Sequence, residues 1–393
     1  MEKKIKLGII GIGNMGKGHS KNITDKKLCP SVELAAIADI DPKQLEWAKE
    51  NLPESVKHFS NAEEMLDSGL IDACLIAVPH YEHPHYAKEC FKRGIHVMTE
   101  KPAGVYTSQV REMNEAAKAS GVKFAIMFNQ RTDPLYKKAH DMIANGELGG
   151  LKRMVWIITN WYRTQAYYDS GTWRGTWNGE GGGVLLNQAP HNLDLWQWIC
   201  GMPKSVYAVC TIGKYHDIGV EDDVTINAEY ENGMSATFIT TTGETPGTNR
   251  LEISGELGKI VIEEGKLRFW KLDKNEREIC FTEKDGFYSS TPEYSEFSEP
   301  ILPGHPMVLE NFARSILYGD ELIARGEEGI NSLTLSNAAY LSTWEGKKID
   351  LPLDEAAFEK YLDELRAKEK PSARKITPEN DVDKCEERWQ VRR

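Results

Sequence analysis

The sequence predicts a two-domain α/β chain. A doubly wound parallel sheet with a dinucleotide fold is expected over residues 1–128, an α+β domain on a mostly antiparallel sheet over 129–352, and a charged helix with a polar tail over 353–393. Three observations predict this. Apolar runs alternate with helical patterns through the first third, which is the signature of a parallel sheet. The first run ends in Gly11-Ile12-Gly13-Asn14-Met15-Gly16, a glycine-rich turn followed by a helix-compatible stretch. Beyond residue 205, short apolar runs succeed one another across turns such as Glu231-Asn232-Gly233, as antiparallel strands do.

Composition sets the bounds. With 393 residues, 40% of them hydrophobic and 27% charged, the chain can bury two cores. A formal net charge of -12 opposes a sequence-independent grip on nucleic acid, which needs cations to neutralise phosphates. The seven cysteines are scattered and never spaced C-x-x-C, so neither a disulfide framework nor a zinc site is expected, and a reducing compartment is. No apolar run is long enough to span a membrane, and Met-Glu-Lys-Lys passes straight into a strand-like run, so the expected location is the cytoplasm.

In the first third, strands are expected at 5–10, 32–37, 73–78, 96–99 and 123–127, with helices between them and a six-strand sheet complete by about residue 128. In the turn, the first glycine permits a tight bend, the second a close approach to a pyrophosphate, and the third helix-on-strand packing. Asp39, at the end of the second run, stands where a carboxylate binds ribose hydroxyls. Ile40 follows it instead of a phosphate-binding arginine, so the expected cofactor is NAD rather than NADP; a helix-capping role before Pro42 is the competing reading of Asp39. His80, His83 and His85 cluster after the third run, at the carboxyl end of the sheet where ligands bind; no Cys or carboxylate set completes a metal site there. Lys101 ends the fourth run, and its ammonium, if partly buried, would lose basicity and could exchange a proton.

The second domain opens with a helix over 135–144, a turn over 146–150 and a strand over 154–159. Then come Asn160-Trp161-Tyr162-Arg163, Tyr167-Tyr168 and Trp173-Arg174-Gly175-Thr176-Trp177, whose aromatic faces and arginine forks suit sugar rings; buried or interface anchoring is the alternative for each tryptophan. Gly181-Gly182-Gly183 follows, with freedom for positive φ and close approach to a ligand, and His191 begins an apolar helix as a candidate acid/base. Strands are expected at 206–212, 224–229, 235–241, 250–254, 259–262, 266–270 and 278–281, a long loop at 283–304, and helices at 307–317, 329–344 and 354–368.

The fingerprint at 11–16, Asp39, Pro79 with His83, Glu100-Lys101-Pro102, and the triple glycine with His191 and Asp194 together resemble the Gfo/Idh/MocA oxidoreductases over roughly residues 5–350. The resemblance implies a Rossmann domain joined to a domain with a large open sheet, and NAD-dependent hydride transfer to or from a secondary hydroxyl of a sugar, glycoside or related polyol, the 3-position among the candidates. By position, Lys101 becomes the catalytic lysine and His191 its acid/base partner. Asn187 occupies the place where the family usually carries an aspartate, so Asp194 or Lys101 would set the state of His191 instead. The cofactor site would comprise Gly11, Gly13, Asn14, Met15, Gly16, Asp39, Pro79, His80, His83, Glu100 and Lys101; the substrate site would add Trp161, Tyr162, Arg163, Trp173, Arg174, Asn187 and His191. No metal is implied. An open sheet with an uncovered face leads to an expected homo-oligomer, a dimer or tetramer. Two other functions use the same parts: an NAD-retaining glycosidase working by oxidation, elimination, hydration and reduction, and a non-catalytic NAD or sugar sensor.

Overall fold

A computed structural model of the chain describes residues 3–370. The first sheet contains β1 (Ile5–Ile10), β2 (Val32–Ala38), β3 (Lys57–Phe59), β4 (Ala73–Ile76), β5 (His96–Thr99) and β6 (Phe124–Ile126), in the order β3-β2-β1-β4-β5-β6. Every neighbouring pair is parallel. Strand β3 is the sixth strand that the apolar pattern left unplaced. It is only three residues long and sits at the sheet edge with no fully buried residue, so it carries no apolar run to read. Helices Asn14–Thr24, Pro42–Asn51, Ala62–Asp67, His83–Lys92 and Thr107–Ser120 make the crossovers. Their starts follow local rules: Asp41 accepts from the Lys43 N–H ahead of Pro42 in the first turn, and Asn61 accepts from the Glu63 and Glu64 N–H groups.

The second sheet adds β7 (Leu151–Ile158), β8 (Ser205–Ile212), β9 (Glu221–Glu229), β10 (Ser235–Thr241), β11 (Asn249–Gly255), β12 (Gly258–Glu263), β13 (Lys266–Lys271), β14 (Glu293–Phe297) and β15 (Ile349–Asp350). Their order is β14-β13-β12-β11-β7-β10-β9-β8-β15. All neighbours are antiparallel except β7 and β10, which run parallel because the β8–β9–β10 meander closes sideways onto a strand laid down before it. Helices Pro190–Cys200 and Gly329–Glu345 cover one face. Trp196 stacks on Phe238 with ring centroids 5.7 Å apart, and the Ser342 and Thr343 hydroxyls accept from the Ala208 and Cys210 N–H groups of β8. No helix among the described residues is long and apolar enough to cross a membrane.

Two expectations need correction. Residues 278–281 are not a strand but part of the helix Glu276–Thr282, started by Asn275 accepting from the Arg277 N–H. The run Ile279-Cys280-Phe281 is continuously apolar, yet no residue of this helix is buried and Phe281 is 74% exposed. The stretch 283–304 is not all loop, since β14 lies within it and pairs with β13. Four of its five residues are exposed, and the edge position is supported by charge, with Lys266 2.8 Å from Glu296, so hydrophobic periodicity gave no sign of it. The polar tail beyond residue 370 lies outside the described residues.

The chain also returns to its first domain. Helix Gly304–Leu317 buries Val308, Leu309, Phe312 and Ala313 in one cluster with Ile5, Leu7 and Ile9 of β1, and Glu310 accepts from both the N–H and the hydroxyl of Ser31. Just past β6, at the start of the second domain, Arg131 ties distant segments of that domain together. Its Nε and Nη2 donate to both oxygens of Asp194, at 2.8 and 2.6 Å, and its Nη1 donates to Glu328 and to the Ile323 carbonyl. Arg131 and Asp194 are 3% and 1% exposed, so each charge is held in place of water by the other. We expect Arg131→Met, which strands a buried carboxylate, to cost about 3–5 kcal/mol of unfolding free energy. The midpoint of urea denaturation measures it, and an unchanged midpoint would refute this role.

Candidate active site

A cleft of about 980 Å³ runs along the carboxyl ends of the first sheet. At one end is the glycine turn. Gly11 has φ +91°, and a Cβ there would lie 2.5 Å from the Ala77 carbonyl oxygen; one on Gly16 would lie 2.0 Å from the Gly11 oxygen. Gly13 has open space on that side, and Gly13, Asn14 and Met15 line the cleft where the helix begins without a side-chain cap. This is a cradle for a pyrophosphate at a helix N-terminus. Gly16 serves packing and does not line the cleft. Asp39 does line it; one carboxylate oxygen accepts from the Ile12 N–H at 2.7 Å and the other from Asp41 at 2.8 Å. The helix-capping role belongs to Asp41, which leaves Asp39 to the cleft.

At the other end, Lys101 is 8% exposed and its Nζ donates to the main-chain carbonyl of Asn187 at 2.7 Å. Burial pulls its pKa down to about 8; Glu100 and Glu180 oppose that shift, and Arg163 and Arg174 reinforce it. Burial alone would raise Glu100, but His19, whose Nε2 donates to it at 2.7 Å, helps hold it at about 2. Pro79, His80, His83, Glu100 and Asn187 all line the cleft as expected. His80 donates to the Glu180 carbonyl at 2.8 Å, and burial lowers its pKa to about 3. Both ring nitrogens of His83 lie near carbonyl oxygens, of Pro102 at 2.7 Å and Val78 at 2.8 Å. Burial disfavours the imidazolium that two donated bonds would need, so a neutral ring donates to one of them.

The second domain contributes a wall. Trp173 and Arg174 line the cleft, and the Arg174 guanidinium lies 4.5 Å from the centroids of both Trp173 and Tyr167. Trp161, Tyr162 and Arg163 are not among the lining residues. Trp161 donates to Asn192 at 3.1 Å, Arg163 donates to the carbonyls of Trp161 and Tyr162, and Tyr162 is exposed. Trp177 is a core anchor packed on Tyr340 and Trp344. The segment carrying the wall is tied to the C-terminal helix Glu355–Lys368, where Glu369 accepts from the Trp177 and Asn178 N–H groups at 2.7 and 2.8 Å.

His191 stands at the start of helix Pro190–Cys200, behind the cleft rather than on it, edge-on to Phe128 at 6.3 Å. Burial first, and then Lys101, push it well below the ordinary histidine value, so the ring is neutral near pH 7. Asp194 does not set its state, because both its oxygens belong to Arg131. The triple glycine also differs from expectation: only Gly181 has positive φ, and Gly183 faces the domain's own core, where a Cβ would meet the Glu221 oxygen at 1.8 Å. Glu221, unseen in the sequence reading, clamps this turn by accepting from the Gly183 and Leu185 N–H groups and the Tyr340 hydroxyl. Glu180 was missed as well. Its one visible signal is a lone charge immediately before three glycines.

Asp39→Ala should weaken NAD binding about tenfold or more, through lost charge-assisted hydrogen bonds, and narrow the preference over NADP. Calorimetric titration with both nucleotides measures this, and undiminished affinity and selectivity would count against the assignment.

Residues 5–128 match the oxidoreductase family with an NAD-binding Rossmann fold, and residues 136–261 match the Gfo/Idh/MocA C-terminal domain. The myo-inositol 2-dehydrogenase of Thermotoga maritima is 25% identical over 352 residues, 88% of this chain and 98% of that protein. The uncharacterized oxidoreductase YrbE of Bacillus subtilis is 25% identical over 365 residues, 89% of this chain and 98% of YrbE. Among solved structures, the WlbA dehydrogenase of Bordetella pertussis, in complex with NADH and UDP-GlcNAcA, superposes with a TM-score of 0.74 at 28% identity, covering 90% of this chain and 100% of that one. A levoglucosan dehydrogenase bound to NADH and levoglucosan superposes at 0.75 with 20% identity over 89% of this chain and 100% of that one, a likeness of fold. The glycine cradle, Asp39 and the buried lysine at the far end of the same cleft fit that cofactor, and the chain belongs to the Gfo/Idh/MocA family of NAD-binding oxidoreductases.

Proposed function

We propose that this chain oxidises a secondary hydroxyl of a sugar, glycoside or related polyol. The observation that carries the reading is a buried, weakened ammonium, Lys101, held between a dinucleotide cleft and an arginine–aromatic wall. Bound NAD would supply the hydride acceptor. The protein's part is to take the hydroxyl proton and hold the ring. Lys101 with a pKa near 8 is neutral in a useful fraction at working pH, and its donation to the Asn187 carbonyl aims the nitrogen. Trp173 and Arg174 offer an apolar face and a donor fork to a ring and its hydroxyls. His191, neutral behind the cleft, takes the role of second proton acceptor, and Asn187 that of a polar contact on the wall. A relative named as a myo-inositol 2-dehydrogenase and a similar dehydrogenase in complex with UDP-GlcNAcA support a polyol or sugar as substrate.

Lys101→Ala should lower turnover by about two to four orders of magnitude and His191→Ala should lower it within the same range. Because the base must be deprotonated, kcat/KM for oxidation should rise tenfold per pH unit below about 8 and level off above it, with Lys101→Ala removing that limb. NADH absorbance over a polyol panel measures both effects. Undiminished turnover in both variants would remove them from the mechanism, whereas release of aglycone from chromogenic glycosides in excess of the NAD present would instead mean an NAD-retaining glycosidase.

We also propose a homo-oligomer, a dimer or tetramer, in a reducing compartment such as the cytoplasm. Tyr207 and Val209 on β8 stand exposed on the face of the second sheet opposite its helices, and the described cysteines are free. Light scattering should give a mass at least twice the 44.4 kDa of one chain, and the monomer mass at micromolar concentration would refute the proposal.

A further inference from the structure

Glu180 lies behind the cleft wall and is 1% exposed. One of its oxygens accepts from the Asn187 side-chain amide and the other from the Gly175 N–H at 2.6 Å. Both partners donate. A protonated carboxyl would need an acceptor for its own hydrogen, so these contacts suit the ionised form, although burial raises the group above its ordinary value. The residue is fixed at its backbone too, by the hydrogen bond from His80 to its carbonyl. From Asn187 the path continues through its main-chain carbonyl to the Lys101 ammonium, 2.7 Å away.

We propose that Glu180 is the positioning residue that sets the charge on Lys101, acting across Asn187, so that the carboxylate serving the reaction stands one contact behind the cleft wall. This rests on the reading of Lys101 as the proton acceptor.

The charges facing Lys101 can be counted by element. Glu100, on its own strand end, is engaged by His19. Arg163 and Arg174, from the aromatic segment, repel its proton. His80 and His83 from the turn after β4, His191 from its helix start and His305 from helix Gly304–Leu317 are all held low by burial and stay neutral near pH 7. Among these groups Glu180 is the anion on the second-domain side, and without it two arginines would face the lysine with no opposing charge from that side. The amide at 187 follows from the same arrangement. An aspartate there would place two buried carboxylates in contact, and one would have to take up a proton.

The test moves the charge. Wild type, Glu180→Gln and the exchange variant Glu180→Gln/Asn187→Asp are checked for folding by thermal melting. Each is then labelled across neutral to alkaline pH with trinitrobenzenesulfonate, and modification of the Lys101 peptide is read by mass spectrometry. We expect the Lys101 midpoint to fall by about one pH unit in Glu180→Gln and to return to the wild-type value or above in the exchange variant. The lower limb of the kcat/KM profile should move in parallel. A midpoint that stays in place in folded Glu180→Gln overturns the proposal. If Glu180→Gln does not fold, Glu180→Ala, folded, takes its place: a midpoint about a unit lower supports the proposal, and an unchanged midpoint overturns it. The labelling needs no substrate, so failure of every polyol to yield NADH would refute the proposed activity while the role of Glu180 is still decided by the midpoints.

Discussion

A buried guanidinium just past the last strand of the first sheet locks the second half of this molecule together, and the cleft depends on that half holding its shape. Arg131 leaves the last strand of the first sheet and spends its donors on Asp194 at the second domain's central helix, on Glu328 and on the Ile323 carbonyl. The cleft is built from both halves, with the glycine turn, Asp39 and Lys101 on one side and Asn187, Trp173 and Arg174 on the other. A hydrogen bond of 2.7 Å between Lys101 and Asn187 tolerates little relative movement. A pair of charges with no water to fall back on is a stiff joint, because any opening leaves both partners unsolvated. Helix Gly304–Leu317, returning to pack on β1, is the contact that ties the second half to the first sheet.

The dinucleotide half was legible from the sequence because its rules are local. An apolar run, a glycine turn and a carboxylate at the end of the next run each carry their reason in a few residues, and β1, Gly11 and Asp39 lie where those reasons put them. What escaped depended on partners distant in sequence or on the absence of burial. Strand β14 and the helix Glu276–Thr282 are exposed, so no hydrophobic period marks them. Asp194 was matched to His191 through the family resemblance, whereas its partner lies 63 residues earlier. Glu180 and Glu221 escaped for a related reason: their meaning comes from the Asn187 amide and from N–H groups of a turn 36 to 38 residues away, which no spacing rule predicts.

The aromatic segment illustrates how far composition reaches. Read as one sugar-gripping surface, it divides in the structure into a cleft wall at Trp173 and Arg174, a core anchor at Trp177, and Trp161 and Arg163 tied up in neighbouring hydrogen bonds. Tryptophan is chosen for burial and for contact alike, so density alone cannot sort one use from the other.

The anchor of Lys101 is a main-chain oxygen, present whatever side chain stands at position 187. The lysine's aim is therefore insulated from replacement at that site, while its charge, which answers to Glu180 across the side-chain amide, is not. A lineage could retune the polarity met by its substrate, or relocate a negative charge between neighbouring positions, while keeping the reacting nitrogen in place. Orientation and charge are thus assigned to two parts of one residue, its main-chain oxygen and its side-chain amide.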